Sequence, residues 1–107
     1  MKHGPIALVD ESLPVVFIAT KDSFHEKVIS NMQEIKARKG KVIAVINEGD
    51  EQSLSLANDV MMVPEADEIM SPMLSVIPLQ LWAYYTGVAK GQDVDKPRNL
   101  AKSVTVE

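Results

Sequence analysis

Cysteine is absent from the 107-residue chain, and Lys and Arg never form a run longer than the KARK stretch that ends at Lys39. Without cysteine there is neither a disulfide framework nor a thiolate metal site, which suits a reducing compartment. The net charge of −4 and the pI near 5.1 offer no basic surface to a phosphodiester backbone. We therefore expect one small globular domain that does not bind nucleic acid.

Motifs of common active sites are also missing. The sequence has no phosphate-binding glycine loop, no HExxH and no GxSxG. Its two histidines, His3 and His25, have no partner at metal-ligand spacing, so we expect neither a metal nor a cofactor. The position of His25 on the first turn of a surface helix favours a solvated or capping role, and the EGDE and EADE segments favour solvated loops.

Charge is lacking from Ile69 to Ala89, a stretch long enough for a membrane-spanning helix. The stretch contains Pro72, Pro78 and several polar residues, and no basic cluster flanks it. The N-terminal residues have neither the long apolar region nor the cleavage site of a signal peptide. We therefore expect a buried helix rather than a membrane span, and a cytoplasmic protein.

Strand and helix patterns alternate in the first half of the chain. The apolar run VVFIA after Pro14 is typical of a strand buried on both faces of a parallel sheet. Ser23 and Glu26 form a capping box that predicts the start of a helix, and Gly40 predicts its end. The buried face of that helix is predicted from a stripe at helical spacing: Phe24, Val28, Met32 and Ile35.

Two further strands are predicted downstream. The run VIAVI after Lys41 repeats the buried-strand pattern, the polar segment NEGDEQS is expected to be a loop, and Asp59 with VMMV forms a shorter third strand. Ser71 and Pro72 predict the start of the long apolar helix, as N-cap and first helical residue, and Gly91 predicts its end.

The predicted fold class is α/β, a three-layer α/β/α arrangement around a parallel sheet of about three strands. So short a sheet leaves its edges open, and a helix that is apolar nearly all round needs partners on more than one side. The chain is therefore expected to be a piece of a larger sheet or half of a tight dimer.

The residue types at the two ends of the chain give, by themselves, little reason to assign a chemical role to either end. Lys102 lies between Ala101 and Ser103 in a tail with few other charges, where partial desolvation favours the free amine that attacks a carbonyl. His3 stands beside Gly4 and Pro5, residues that shape a close backbone approach. Considered alone, both side chains are most simply solvated.

Three segments carry a resemblance to a known family: KHGPIALVDESLPV, SVIPLQLWAYYTGVAKG and DVDKPRNLAKSVTVE. In this order and with similar spacing they resemble glutamine-fructose-6-phosphate aminotransferases, whose N-terminal glutaminase domain precedes two sugar-isomerase (SIS) domains. The resemblance covers the whole chain, and the tail is its most specific part. It implies that residues 1–107 form the C-terminal half of the second SIS domain, with residues 92–107 as a functional tail.

The resemblance also implies roles for four residues. Lys102 matches the family lysine that forms a Schiff base with the C2 carbonyl of open-chain fructose 6-phosphate. His3 matches the histidine of the KHGP motif, which opens the sugar ring and reaches the site from a neighbouring subunit. Ala101 matches a tail position beside the sugar, and Val104 one beside the ammonia passage. A phosphosugar substrate, a homodimer and the missing upstream domains are the implied partners.

Departures from the family pattern limit what this chain is expected to do. The family's general-base glutamate, its Ser/Thr-rich phosphate loop and its N-terminal cysteine nucleophile have no counterpart here. The 107-residue chain is therefore expected to be inactive as a synthase. Two alternatives remain: a SIS module that binds phosphosugars without turnover, and a structural interaction domain that works through its open sheet edge.

Overall fold

The computed structural model of the protein describes residues 4–96. After a short 3-10 helix at Pro5–Leu8, its elements are β1 (Val15–Ala19), α1 (His25–Ala37), β2 (Val42–Asn47), α2 (Glu51–Leu56), β3 (Asp59–Val63) and α3 (Ser71–Ala89). The chain divides into two compact units, Met1–Val76 and Ile77–Glu107. The three strands, α1 and α2 all belong to the first unit.

The sheet is parallel throughout, with strand order β1-β2-β3. Val15 of β1 lies opposite Val42 of β2, and Ile43 of β2 lies opposite Asp59 of β3. All three strands coincide with the apolar runs that predicted them. The α/β fold class, a parallel three-stranded sheet with helices, is confirmed.

The core of the first unit lies between the sheet and α1. Side chains from β1, β2 and α1 form one buried cluster, joined by Ile6 of the 3-10 helix: Phe17, Ala19, Ile29, Met32, Ile35, Val42, Ala44 and Ile46. Every residue of β2 except Ile43 is buried, as expected of the central strand. The carboxyl ends of the three strands consequently have a fixed relative position.

The start of α1 differs from the prediction. Its N-cap is Phe24, with no side-chain cap, so the capping box proposed for Ser23 and Glu26 is wrong. Asp22 instead accepts a hydrogen bond from the backbone N–H of Phe24, at 2.8 Å. The Phe24 side chain is 62% exposed, and Ile29 takes a place in the buried stripe, together with the predicted Met32 and Ile35.

α1 ends where it was predicted to end, but Gly40 is not the residue that takes the left-handed conformation there. Lys39 takes the left-handed conformation, with φ of 60°, and its backbone N–H donates to the Lys36 carbonyl. Gly40 donates to the Ile35 carbonyl at 3.0 Å and has no positive φ. A Cβ at Gly40 would lie 2.5 Å from Val9 Cγ1, so glycine is needed there for close packing.

The segment expected to be a loop after β2 contains a helix. α2 begins at Glu51, directly after Asp50, whose side chain accepts a hydrogen bond from the Ser53 backbone N–H. Gly49 takes φ of 86° in the turn that precedes it. Only residues 48–50 of the predicted loop therefore remain as a turn.

The long apolar helix α3 spans the predicted residues, with Ser71 as its first helical residue rather than its N-cap. Gly91, at φ of 70°, follows its end and donates to the Val88 carbonyl. The prediction that this helix is buried is wrong for the chain by itself, because its only buried residues are Ser71 and Ser75. Among residues 4–96, none of the helices is long and apolar enough to cross a membrane.

Candidate functional site

The residues proposed for chemistry lie outside the part of the chain that the structure describes. These are His3 at the N-terminus and Ala101, Lys102 and Val104 in the tail. Their roles therefore stay predictions. The described residues offer a different candidate, a cleft at the carboxyl ends of the strands.

The cleft has a volume of about 440 Å³ and lies in the first unit. In a parallel α/β sheet the loops that follow the strands form the usual ligand-binding edge, because the helices return from there. Segments after β1, β2 and β3 all contribute to the lining, which consists of Lys21, His25, Asn47, Glu48, Gly49, Asp50, Glu51, Gln52 and Glu65.

Asn47, the last residue of β2, joins the ends of all three strands. Its Oδ1 accepts a hydrogen bond from the Lys21 backbone N–H at 2.6 Å, just beyond β1. Its Nδ2 donates to the Pro64 carbonyl at 3.1 Å, just beyond β3. Asn47 is only 5% exposed, so losing a partner would leave a buried amide unsatisfied. This residue fixes the floor of the cleft.

His25, Asp50 and Ser53 form a polar cluster at one wall. His25 Nε2 donates to Asp50 Oδ2 at 2.8 Å, and Ser53 Oγ donates to the same oxygen at 2.6 Å. The side chains of His25 and Asp50 are 18% and 16% exposed, so their hydrogen bond is largely shielded from solvent. The solvated environment expected for the Asp50 carboxylate is therefore wrong, and of the two roles expected for His25, solvated or capping, the solvated one is wrong.

The Asp50 carboxyl remains acidic in this setting. Partial burial acts to raise its pKa, but the hydrogen bonds from the Ser53 hydroxyl and amide, together with the hydrogen bond and charge of His25, outweigh burial. The pKa of Asp50 accordingly lies below its ordinary value of 3.8. Near neutral pH the cluster contains a carboxylate that accepts hydrogen bonds from both α1 and α2.

The cluster contains the residue types of a serine hydrolase triad but lacks its geometry. In a triad the imidazole bridges the two partners through its two nitrogens. Here the same nitrogen, Nε2, faces both Asp50 at 2.8 Å and Ser53 Oγ at 3.4 Å. The Ser53 hydroxyl donates its proton to the carboxylate, and Ser53 is fully buried. This arrangement holds the N-termini of α1 and α2 together rather than activating a nucleophile.

The charge of the cleft is predominantly negative. Glu48, Asp50, Glu51 and Glu65 line it, against one lysine and one histidine. Lys21 Nζ lies 3.6 Å from Glu65 Oε1, so the lysine charge is already paired. Within residues 4–96 no group of histidines and carboxylates has the arrangement of a metal site. The lining is therefore suited neither to a phosphate group nor, in this arrangement, to a metal ion.

Comparison with known proteins assigns the family. Residues 1–89 match the family model described as the SIS domain. The chain belongs to the SIS domain family. The chain also resembles a solved structure, the C-terminal domain of glucosamine-fructose-6-phosphate aminotransferase from Francisella tularensis, with a TM-score of 0.81 and 36% identity. The match covers 89% of this SIS chain and 27% of that chain.

Curated relatives of this SIS chain agree with that structure. The isomerizing glutamine-fructose-6-phosphate aminotransferase of Thermus thermophilus is 62% identical over all 107 residues, which cover 18% of that protein. The aminotransferase of Bacteroides thetaiotaomicron is 58% identical over the same 107 residues, 17% of its length. The resemblance found in the sequence is confirmed. The SIS chain spans less than a fifth of the length of these relatives.

Sequence reasoning missed the polar cluster for identifiable reasons. Asp50 followed by Glu51 and by Ser53 is a helix N-terminus signal, which could have revealed α2. The pairing of His25 with Asp50 joins residues 25 positions apart and depends on how α1 and α2 pack. No local spacing in the sequence indicates it.

Proposed function

We propose that this chain is part of the isomerase half of an isomerizing glutamine-fructose-6-phosphate aminotransferase. The reaction converts fructose 6-phosphate and glutamine to glucosamine 6-phosphate and glutamate. The observation that carries the proposal is the 62% identity to the Thermus thermophilus enzyme over the full 107 residues. That range includes the KHGP segment and the NLAKSVTVE tail.

Within this proposal residues 1–107 are the C-terminal half of a SIS domain, and residues 92–107 are its functional tail. Lys102 supplies the amine that condenses with the C2 carbonyl of the open-chain sugar, with loss of water, to form an imine. His3 transfers the proton that opens the sugar ring, because an imidazole can both donate and accept a proton. Ala101 lies beside the sugar and Val104 beside the path of ammonia.

The partners belong to the same proposal. They are fructose 6-phosphate, the glutaminase and SIS segments that the longer relatives contain, and a second copy in a homodimer, all in the cytoplasm. The acidic cleft is not proposed as the sugar-phosphate site, because its four carboxylates repel a phosphate dianion. We propose instead that fructose 6-phosphate is bound by the two ends of the chain and by the segments that the longer relatives contain.

The proposal is tested in a chimera, in which this chain replaces the aligned region of the Thermus thermophilus enzyme. We expect the chimera to form glucosamine 6-phosphate and Lys102→Ala to lower kcat by roughly a thousandfold or more, because a nucleophile that forms a covalent intermediate is removed. Lys96→Ala, a change at an exposed tail lysine, is the matched control and should retain activity. A Lys102→Ala chimera as active as the Lys96→Ala chimera refutes the assigned role.

Borohydride trapping separates this proposal from a non-catalytic phosphosugar-binding module. Borohydride should reduce the imine that Lys102 forms with fructose 6-phosphate to a stable amine. In the chimera, the peptide that contains Lys102 should then carry the covalently attached sugar phosphate, detected by mass spectrometry. Sugar binding without a trapped adduct or turnover supports the binding module. The isolated 107-residue chain should form no glucosamine 6-phosphate, because it lacks the family's general-base glutamate and phosphate loop.

A further inference from the structure

The end of α3 is a Schellman motif, a hydrogen-bond pattern that sets the course of the chain after a helix. The Gln92 backbone N–H donates to the Gly87 carbonyl at 2.9 Å, and the Gly91 backbone N–H donates to the Val88 carbonyl, also at 2.9 Å. Gly91 takes φ of 70°, a conformation that favours glycine. The direction in which the chain leaves α3 is therefore fixed by its own backbone.

Val94 packs back on the last turns of α3. A Cβ added at Gly87 would lie 3.0 Å from Val94 Cγ1, so the Val94 side chain lies directly against the backbone of Gly87. Glycine is less favourable than alanine inside a helix, and this close approach gives Gly87 a physical reason. Val94 thereby holds the chain that follows the helix against the helix itself.

Asp93 holds the residues that follow it in a turn. Its Oδ1 accepts hydrogen bonds from the backbone N–H groups of Asp95, at 3.0 Å, and Lys96, at 3.1 Å, which is the pattern of an Asx turn. Both bonds are exposed to solvent, so they contribute more to the direction of the chain than to the stability of the fold. Local contacts therefore determine the course of the chain up to Lys96, the last residue that the structure describes.

We infer that Asp93 and Val94 are positioning residues for the amine of Lys102, an inference that rests on the proposed catalytic role of that lysine. Lys102 lies six positions beyond Lys96, and six residues reach at most about 20 Å. It lies ten positions beyond Gln92, where the Schellman motif ends, and ten residues reach about 35 Å. The two side chains therefore confine the amine to a smaller region than the helix end alone does.

The length of this connection sets the expected effect on the reaction. The effective concentration of a tethered group falls roughly as the −3/2 power of the length of its connection. Loosening residues 93–96 lengthens the connection to Lys102 from six residues to ten, which lowers the effective concentration of the amine about twofold. Because the amine reacts with a sugar that is already bound, the loss should appear in kcat and not in KM for fructose 6-phosphate.

A pair of double variants in the Thermus thermophilus chimera tests the inference. Asp93→Ala with Val94→Ser removes the turn's acceptor and the apolar contact with Gly87, and should lower kcat about twofold or more at unchanged KM. Asp93→Asn with Val94→Ile keeps an acceptor oxygen and an apolar side chain, and should retain kcat. Equal kcat in the two double variants overturns the inference. A rise in KM at unchanged kcat also overturns it, because it assigns the residues to substrate binding.

The Lys102→Ala chimera separates failure of this inference from failure of the proposed function. If Lys102→Ala retains activity, or if the unmodified chimera is inactive, the catalytic role is refuted and the inference falls with it. If Lys102→Ala abolishes turnover while both double variants match the unmodified chimera, only the positioning inference is overturned.

Amide hydrogen exchange provides a result that does not depend on turnover. The backbone amides of Asp95 and Lys96 should exchange several times faster in Asp93→Ala with Val94→Ser than in Asp93→Asn with Val94→Ile, because only the first variant lacks their acceptor. Equal exchange in the two double variants shows that Asp93 does not hold the chain, and this overturns the inference whatever the activity of the chimera.

Discussion

Replacement of Asp50 by alanine tests whether the polar cluster stabilises the fold. The change removes the N-cap of α2, which costs about 1 kcal/mol in comparable helices. It also leaves the buried Ser53 hydroxyl without its acceptor, which costs about 1–3 kcal/mol. We therefore expect the free energy of unfolding to fall by about 2–4 kcal/mol, measured by urea denaturation at pH 7.

Two control variants make this prediction specific. Asp59→Ala removes a carboxylate whose ion pair with Lys41 is more than half exposed, and it should cost less than about 1 kcal/mol. Adding Ser53→Ala to Asp50→Ala removes the orphaned hydroxyl, so the double variant should lose less stability than the sum of the single variants. If Asp50→Ala and Asp59→Ala lose the same stability, the cluster does not support the fold as described.

The same cluster predicts a pH dependence with a definite sign. The pKa of Asp50 is below its ordinary value of 3.8 in the folded chain, so the unfolded chain binds the proton more tightly. The stabilisation from Asp50 is therefore complete above about pH 4 and is lost as the pH falls through the folded pKa. Urea titrations between pH 7 and pH 2 should show this loss in the native chain and a smaller one in Asp50→Asn. Identical pH profiles would contradict the assignment, since other carboxylates are common to both chains.

The remaining predictions concern packing and the cleft floor. Gly40→Ala should lower stability by about 1–3 kcal/mol in thermal or urea unfolding, because its Cβ would lie 2.5 Å from Val9 Cγ1; Gly4→Ala, with no atom within 4 Å of the added Cβ, should change stability little. Asn47→Leu should cost about 2 kcal/mol or more, because the Lys21 amide and the Pro64 carbonyl lose their partner, and amide exchange of Lys21 should accelerate with it. Retained slow exchange at Lys21 would show that Asn47 does not hold the strand ends together.

The strands could be predicted because burial on both faces leaves a strong composition signal. β2 is the clearest case: VIAVI is apolar throughout, and the structure buries nearly all of it in the centre of the sheet. The parallel direction of the strands was predicted from the short strand-helix-strand connections, which favour a right-handed crossover. The fold class was therefore accessible from local patterns and general topology.

Helix ends were less accessible, because several neighbouring residues could cap each one. Asp22 and Ser23 are adjacent and both could accept a hydrogen bond from a first-turn amide, but α1 has no side-chain cap: Asp22 accepts from the backbone N–H of Phe24, the N-cap residue itself. α2 has only six residues and no apolar period, so its sole sequence signal is the cap at Asp50. Its existence depends on packing against β2 and α1, which no six-residue window contains.

The helix α3 shows a different limit of sequence reasoning. Its composition correctly predicted an apolar helix. The start of the helix, at Ser71, was predicted to within one residue. Burial was predicted from the same composition, yet large apolar side chains remain exposed, including Ile77, Leu81 and Tyr85. A sequence pattern indicates that a surface needs a partner, but it does not say that the partner belongs to the same chain.

The negative charge of the cleft does not suit the sugar phosphate that is the substrate of the proposed reaction. The carboxyl edge of a parallel sheet is the usual place for a ligand, but its ligand is set by the side chains there rather than by the fold. At about 4 Å and an effective dielectric constant of about 20, one carboxylate repels a single negative charge by roughly 4 kcal/mol. Four carboxylates line this cleft, and its lysine is paired with one of them. A sugar phosphate bound here would therefore gain less from Lys21 than it loses, so the proposed reaction requires binding groups from outside the cleft.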